Sequence, residues 1–453
     1  MRAVVARGSI SASAGWLYVD SLSAYHLAVL LMVYGLSSVY AWVYFGVEFK
    51  AGRFKLRQAR IFSGLWCGAL AAITVVLVSN NLAIMWVGIE ATTLLTGFLI
   101  YVHASKESLE AMWKYILICS VGVAFAFMGT LLAAASTRGL PIDARDVLLW
   151  TTLRDHAALL DPTLMKTAFI FLIVGYGTKA GLAPMHTWLP DAHSQAPAPV
   201  SAIFSGFMLN TAMYCIMRYV PVIQAATDYD GWSLRLLVGF GIVSMFIAAG
   251  FILIQRDLKR LLAYHSVEHL GIIALGLGLG GIGTFAALFH TLNHSLSKTL
   301  AFFSAGRLGQ MCGSHDMEEL SGAMRVSRVW GLGILGSLLA LIGVAPFSVF
   351  MSEFLIYKAA IDRHALVVLI LFVLTTCVVF AGALGHVIPL VWARKKEGVP
   401  VARSGFLEGA LVALPLLALL ALGLWMPDFL RDILTKAADI LQGAAHQMAG
   451  VDS

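Results

Sequence analysis

Residues 175–199 read GYGTKAGLAPMHTWLPDAHSQAPAP. The stretch opens as an apolar helix, carries Lys179 at its middle, breaks at Gly181 and Pro184, and runs on into the polar turn HTWLPDAH. A charge at the centre of a bilayer costs roughly 2.5 to 3.5 kcal/mol on insertion scales, so a lysine here needs a use. A proline inside a membrane helix removes a backbone donor, and lipid offers no partner to the carbonyl it frees. A broken helix with an ionisable residue beside the break therefore points to a wetted, protein-lined ion site. The competing reading is a proline kink used for packing, with Lys179 snorkelling to the interface. Lys179 lies about thirteen residues into the apolar run that follows Lys166, which makes snorkelling awkward.

The rest of the chain sets that stretch in a membrane. Of its 453 residues 59% are hydrophobic and 12% charged, and a soluble protein carries roughly twice that charged fraction. The 42 glycines and 25 phenylalanines suit close-packed membrane helices. The net charge of +6 reads as loop charge facing a cytoplasmic surface. No run of bases and aromatics suggests nucleic acid. The five cysteines are far apart and form no CxxC, so neither iron–sulfur nor c-type haem ligation is expected. No nucleotide fingerprint is present either, and the reading assigns the chain no cofactor, no metal and no catalytic redox site of its own. The N-terminal segment MRAVVARGSISASAGW lacks the apolar core of a signal peptide.

Apolar stretches predict an all-α polytopic membrane protein with about twelve transmembrane helices, among them 82–103, 167–184, 283–306 and 329–357. Loops after the odd-numbered spans, richest at 50–60, 256–260 and 394–403, hold the larger share of Lys and Arg. That bias predicts a multi-pass protein of the inner membrane with both termini on the non-cytoplasmic side. Leu430, Ile433, Leu434, Ala437, Ile440, Leu441 and Ala444 recur at helical spacing and predict a C-terminal amphipathic helix. GLAP at 181–184 recurs as GVAP at 343–346, about five spans later. An odd-numbered unit repeated once is inverted across the membrane, the arrangement that brings ion sites to the midplane. The expected organisation is an N-terminal segment with the first span (1–59), two inverted five-helix repeats each with a broken helix (60–222 and 232–393), and the last span with the amphipathic helix (404–453).

Titratable residues inside these spans are the candidates for chemistry. Glu90 lies midway along NLAIMWVGIEATTLLTGFLI (81–100), and a buried carboxylate stays charged only beside a cation, for which Lys179 is the natural partner. His290, His294 and Lys298 stand at i, i+4 and i+8 in LFHTLNHSLSKTLAFF, on one helix face, a polar stripe roughly 12 Å long. Such a stripe suits a proton relay bridged by water. Zinc on the HxxxH is the rival, but the sequence offers no evident third ligand and Lys298 repels a cation. DLKRLLAYHSVEHLGII adds Lys259, His265, Glu268 and His269; Glu353 lies beyond the second break, with His386 on the next span. A lone helical histidine is as readily a satisfied core residue as a proton carrier.

Four phrases together carry a resemblance: KAGLAPMHTWLPDAHSQAPAPVSAIFSGFMLN (179–210), DLKRLLAYHSVEHLGI (257–272), HTLNHSLSK (290–298) and GVAPFSVFMSEF (343–354). The chain, over roughly residues 17–425, resembles the antiporter-like, proton-translocating membrane subunits shared by respiratory complex I, multisubunit cation/proton antiporters and energy-converting hydrogenases. MWVGIEATTLLTGFLI and AMWKYILICSVGVAFAFMGT look closest to the membrane subunits of formate-hydrogenlyase-type group-four hydrogenases. The resemblance implies that Glu90 pairs with Lys179, the proton carrier of the first half-channel. It implies further that His290, His294 and Lys298 form the central relay and that protons leave at Glu353. Relatives often hold a lysine where this chain has Asn210, so the bridge to the stripe would use water, Asn210, and His265 or His269; they also usually carry two further N-terminal helices. Implied partners are sister membrane subunits, a redox or hydrogenase peripheral arm, and the bilayer. A secondary sodium or potassium/proton antiporter module, an inorganic-carbon uptake subunit, and a transport-inactive scaffold are the alternatives.

Overall fold

The computed structural model describes residues 4, 8–13, 15–394, 401 and 404–443. The first described element is a small antiparallel hairpin, Ser9–Ala12 (β1) with Leu17–Asp20 (β2). The sequence reading did not foresee it, because eight residues of weak alternation carry little signal. Among the described residues the other regular elements are helices. The helices are Ser21–Lys50 (α1), Leu56–Val78 (α2), Leu82–Ile100 (α3), Lys106–Ala135 (α4), Trp150–Asp155 (α5), Pro162–Ala180 (α6), Trp188–Gln195 (α7), Ala198–Ile203 (α8) and Leu209–Ala226 (α9). They continue as Trp232–Ile254 (α10), Leu258–Leu279 (α11), Ile282–Cys312 (α12), Ala323–Val326 (α13), Arg328–Leu341 (α14), Ser348–Asp362 (α15), Leu366–Trp392 (α16), Phe406–Leu424 (α17) and Asp428–Gln442 (α18).

Among the described residues, 9 helices are long and apolar enough to cross a membrane, counting α8 to α9 as one. The expected span 329–357 is two pieces, α14 and α15, because Gly343 takes a left-handed φ of +67° and ends the first. The segment expected at 167–184 likewise stops at Ala180, where Gly181 has φ +79°. Only glycine adopts that conformation without penalty, so both interruptions are written locally. The π-helical turn Phe204–Met208 that joins α8 to α9 has no such signature.

Burial separates the inner helices from the outer ones. The apolar windows of α8–α9 and α11 are 100% and 94% enclosed, against 28% to 50% for the other long apolar helices. Nearly all of α12 is buried as well. The enclosed α11 and α12 carry Lys259, His265, Glu268, His269, His290, His294 and Lys298, while Lys179 and Glu353 lie on the helices beside the breaks and Glu90 on α3. The outer helices turn apolar faces outward as a membrane requires. The amphipathic α18 buries Leu430, Ile433, Leu434, Ala437 and Leu441, as its spacing predicted, and leaves Ile440 half-buried, while Ala444 lies outside the described residues.

Two contacts set the frame. Helices α4 and α6 cross so closely that a Cβ on Gly175 would lie 2.4 Å from Ala126 N and 2.6 Å from Gly122 O. Gly175→Ala should therefore overpack this crossing and cost about 1–3 kcal/mol. A melting temperature of the detergent-solubilised protein equal to wild type would count against that packing. At the start of α1, the Arg218 guanidinium forks onto both oxygens of Asp20 (2.6 and 2.8 Å) and also donates to Ser23 Oγ (2.6 Å) and Tyr214 OH (2.9 Å). The pair is buried on both sides and ties α1 to α9.

Candidate functional site: a buried polar axis

The axis begins at the first break. Lys179, fully buried in the last turn of α6, donates to Thr93 Oγ1 (3.0 Å) and Tyr115 OH (2.5 Å), with its ammonium 4.7 Å from the Tyr115 ring centre. The α4–α6 crossing at Gly122 and Gly175 is what brings Tyr115 to it. Glu90 does not ion-pair with Lys179, as the sequence had suggested: its Oε1 accepts from Ser120 Oγ (2.6 Å) and its Oε2 has no partner. Thr93, one turn beyond Glu90 on α3, takes the ammonium instead. Neutral hydroxyls on α3 and α4 thus hold both groups, without the close contact of two buried charges.

Asn210 follows on α9. Its Nδ2 donates to Gly206 O and Ser295 Oγ, both at 3.3 Å, so it links the π-helical turn to α12. Ser205 and Ser266 hydroxyls meet at 2.6 Å nearby.

The second half is denser. His269 Nδ1 lies 2.8 Å from His290 Nε2, and His290 Nδ1 lies 2.9 Å from Ser352 Oγ, which makes a wire from α11 through α12 to α15. Asn293 Nδ2 donates to the same Ser352 hydroxyl (3.1 Å) and to Ser348 O (2.9 Å). His265 Nδ1 meets Glu268 Oε2 at 2.9 Å. The His294 ring is 5.3 Å from that of His269, and Lys298 Nζ donates to the Leu262 carbonyl. The stripe of His290, His294 and Lys298 is fully buried on one face, as its spacing required.

Glu353 closes the axis at the second break. Its carboxylate oxygen lies against Gly343, where any Cβ would come within 2.3 Å of it. Its ligand-type atoms and those of His269 and His290 fall within 4.8 Å of one another. Among the described residues His294 of the HxxxH pair belongs to no such group, so the zinc site that the sequence offered gains no third ligand and a different trio comes together instead. Two nitrogens bound tetrahedrally to one zinc stand about 3.3 Å apart, whereas a 2.8 Å separation requires a shared proton. As built, this cluster is a hydrogen-bonded chain.

Two expected residues sit elsewhere. Lys259 Nζ donates to Ser194 O (2.9 Å) and Ala196 O (2.5 Å), capping the end of α7. The half-buried His386 bonds Ile252 O (2.9 Å) on α10 and makes no hydrogen bond to the stripe.

A region of the chain, residues 79–379, matches the family described as NADH:quinone oxidoreductase/Mrp antiporter, TM. The chain belongs to this family. Within the NADH:quinone oxidoreductase/Mrp antiporter family it is 38% identical over 349 residues to a hydrogenase-4 component F homolog of Methylacidiphilum infernorum, covering 77% of this chain and 73% of the relative. It is 30% identical to hydrogenase-4 component B of Escherichia coli, covering 76% of this chain and half (50%) of that longer relative. Among solved structures, the archaeal membrane-bound sulfane sulfur reductase complex holds a chain that superposes with TM-score 0.84 at 25% identity, covering 98% of this chain and 87% of the other. A chain of the Mrp complex from Dietzia superposes with TM-score 0.82 at 21% identity, covering 100% and 91%, a likeness of fold.

For this family member, sequence reasoning passed over Thr93, Tyr115, Ser120, Ser352 and His193. Thr93 on α3 and Tyr115 on α4 bond Lys179, Thr96 bonds Tyr115, and Ser120 bonds Glu90. A pattern of hydroxyls facing a buried cation was the available signal.

Proposed function

We propose that this chain is a proton-translocating, antiporter-like membrane subunit of a redox-driven complex of the hydrogenase or NADH:quinone oxidoreductase type. The observation that carries the reading is the wire His269–His290–Ser352, with Glu353 beside it, buried between the enclosed helices and ending at a broken helix. An imidazole accepts a proton on one nitrogen and releases another from the second, so a chain of this kind moves charge without moving side chains far. Lys179 and Lys298 are the midplane carriers, Glu90 sets the affinity of Lys179 through its charge, and Glu353 is the exit group. His265, Glu268 and Asn210 supply the links between them.

In this reading the bundle has about twelve spans, with 60–222 and 232–393 as two inverted repeats. The order α6, break, α7 is answered by α14, break, α15, each interrupted at a glycine of left-handed φ followed by proline. Both termini lie on the non-cytoplasmic side. Partners are sister membrane subunits and, through them, a peripheral redox arm that holds the cofactors.

The test is proton uptake by the whole complex in proteoliposomes free of sodium and potassium, driven by its redox substrate. Uptake that persists in that medium is expected. Uptake that needs sodium or potassium and proceeds without redox substrate would instead make the chain a secondary cation/proton antiporter module, as the names of two relatives describe those proteins.

A further inference from the structure

We infer that His193 is a second point of proton entry, carrying protons from a polar vestibule at the outer end of α7 into the histidine–lysine stripe without passing Lys179. The inference rests on the translocating role proposed above and concerns the route alone.

The vestibule is a small surface cleft of about 120 Å³ lined by Glu107, Glu110, Lys114, Asp191, Ser194 and Arg260, among others. Lys114 bridges Glu110 (2.6 Å) and Asp191 (3.2 Å), and Arg260 holds the other oxygen of Asp191 (2.6 Å). Surface carboxylates exchange protons with bulk water, and Glu107 and Glu110 stand at the rim of this cleft. In the proposed orientation this face is cytoplasmic.

His193 follows Asp191 by two residues on α7 and is fully buried. Neither of its ring nitrogens has a hydrogen-bond partner. The ring stacks on Phe302 of α12 at 4.9 Å and 17° and meets Phe204 edge-on at 6.0 Å. Phe302 is one turn beyond Lys298, so the imidazole rests against the face of α12 that carries the stripe. His294, on the same face, also has both nitrogens unpartnered. The charged or titratable groups within electrostatic reach of His193 are Lys298 and His294 on α12 and Lys259 on α11.

An unsatisfied buried polar group costs about 1–3 kcal/mol, and four such nitrogens on two facing helices demand a use. Other buried histidines keep at least one bond: His26 Nδ1 meets Leu22 O, and His290 is bonded at both nitrogens. An imidazole with both nitrogens bare is ready to take a proton at one and yield the other to water or to the neutral Lys298 amine, an N–H bond breaking as an O–H or N–H bond forms. Lys259, by capping the Ser194 and Ala196 carbonyls, fixes the end of α7 and so the ring's position. The alternative link from Lys179 runs past Asn210, an amide that does not titrate.

The experiment measures redox-driven proton uptake per electron, and its dependence on cytoplasmic-side pH, in vesicles holding the whole complex. Wild type is compared with His193→Gln, Lys298→Met and the surface pair Glu107→Gln/Glu110→Gln, after assembly is checked. His193→Gln should lose much of the uptake that Lys298→Met abolishes, and in a Lys179→Ala background it should remove what remains. The surface pair should move the alkaline limb of the pH profile to lower pH. If Lys298→Met loses uptake while His193→Gln keeps it with an unmoved profile, the entry route is wrong and the translocating role stands. If Lys298→Met also keeps uptake, the role itself is wrong. Should His193→Gln fail to assemble, the surface pair decides, and an unmoved limb overturns the route.

Discussion

Lys298→Met is expected to abolish proton translocation through this subunit while leaving the bundle at least as stable as wild type. Lys298 is fully buried and its ammonium donates to the Leu262 carbonyl, which also accepts from the Ser266 hydroxyl (3.3 Å). No carboxylate within ion-pair distance is left stranded among the described residues when the lysine goes. Methionine fills much of the same volume, and exchanging a buried charge for an apolar side chain of similar size is often neutral or stabilising by about 1–4 kcal/mol. Proton transfer is another matter. A positioned acid or base contributes typically about 10²–10⁴-fold to a proton-transfer rate, and methionine offers no substitute. Proton uptake and melting temperature measured on the same preparation check both halves. A variant that pumps normally would remove Lys298 from the path, and one that melts well below wild type would assign it a structural role.

Arg218→Met should do the opposite, failing through stability. Removing the guanidinium leaves Asp20 buried with its charge uncompensated, a loss of about 3–5 kcal/mol where one partner of a buried pair is deleted. Ser23 and Tyr214 lose their cationic donor in the same step. The double replacement Arg218→Met/Asp20→Leu should recover much of the loss, because both desolvated charges are gone. Burial alone would raise the Asp20 pKa, but the Arg218 charge and its hydrogen bonds outweigh that and hold it below the usual carboxylate value. A depressed folded-state pKa gives stability that is full above the unfolded value, about 3.9, and is lost as pH falls through the folded one. Thermal unfolding of the solubilised protein at neutral and acid pH checks all three statements. A single variant that melts with wild type would show that the fork carries no net stability.

The parts of this molecule that were legible in the sequence are those set by local rules. Gly181 and Gly343 announce the two breaks because a left-handed residue must be glycine at little cost. His290, His294 and Lys298 announce a common face because helical spacing alone decides it. The amphipathic α18 was readable for the same reason. What was not legible depends on which helices meet. Tyr115 lies 64 positions before Lys179 and Ser352 lies 62 after His290, and no periodicity reports such pairs. The pairing of Glu90 with Lys179 was inferred from charge, yet Ser120 and Thr93 intervene because a hydroxyl satisfies a buried ion without a second desolvated charge. The span 329–357 looked continuous because hydropathy does not see a turn that keeps its apolar letters. His193 was in plain view in HTWLPDAH, and only its burial against Phe302 distinguishes it from a turn residue.

The central claim is that the buried axis beginning at Lys179 moves protons. Redox-driven proton uptake per electron, in membrane vesicles containing the assembled complex, compares wild type with Lys179→Ala and Glu90→Gln. Glu90→Gln keeps an acceptor for the Ser120 hydroxyl, so its packing is preserved and only its charge is lost. The account predicts that uptake per electron falls in both variants while the complex remains assembled. Uptake unchanged in both would contradict it.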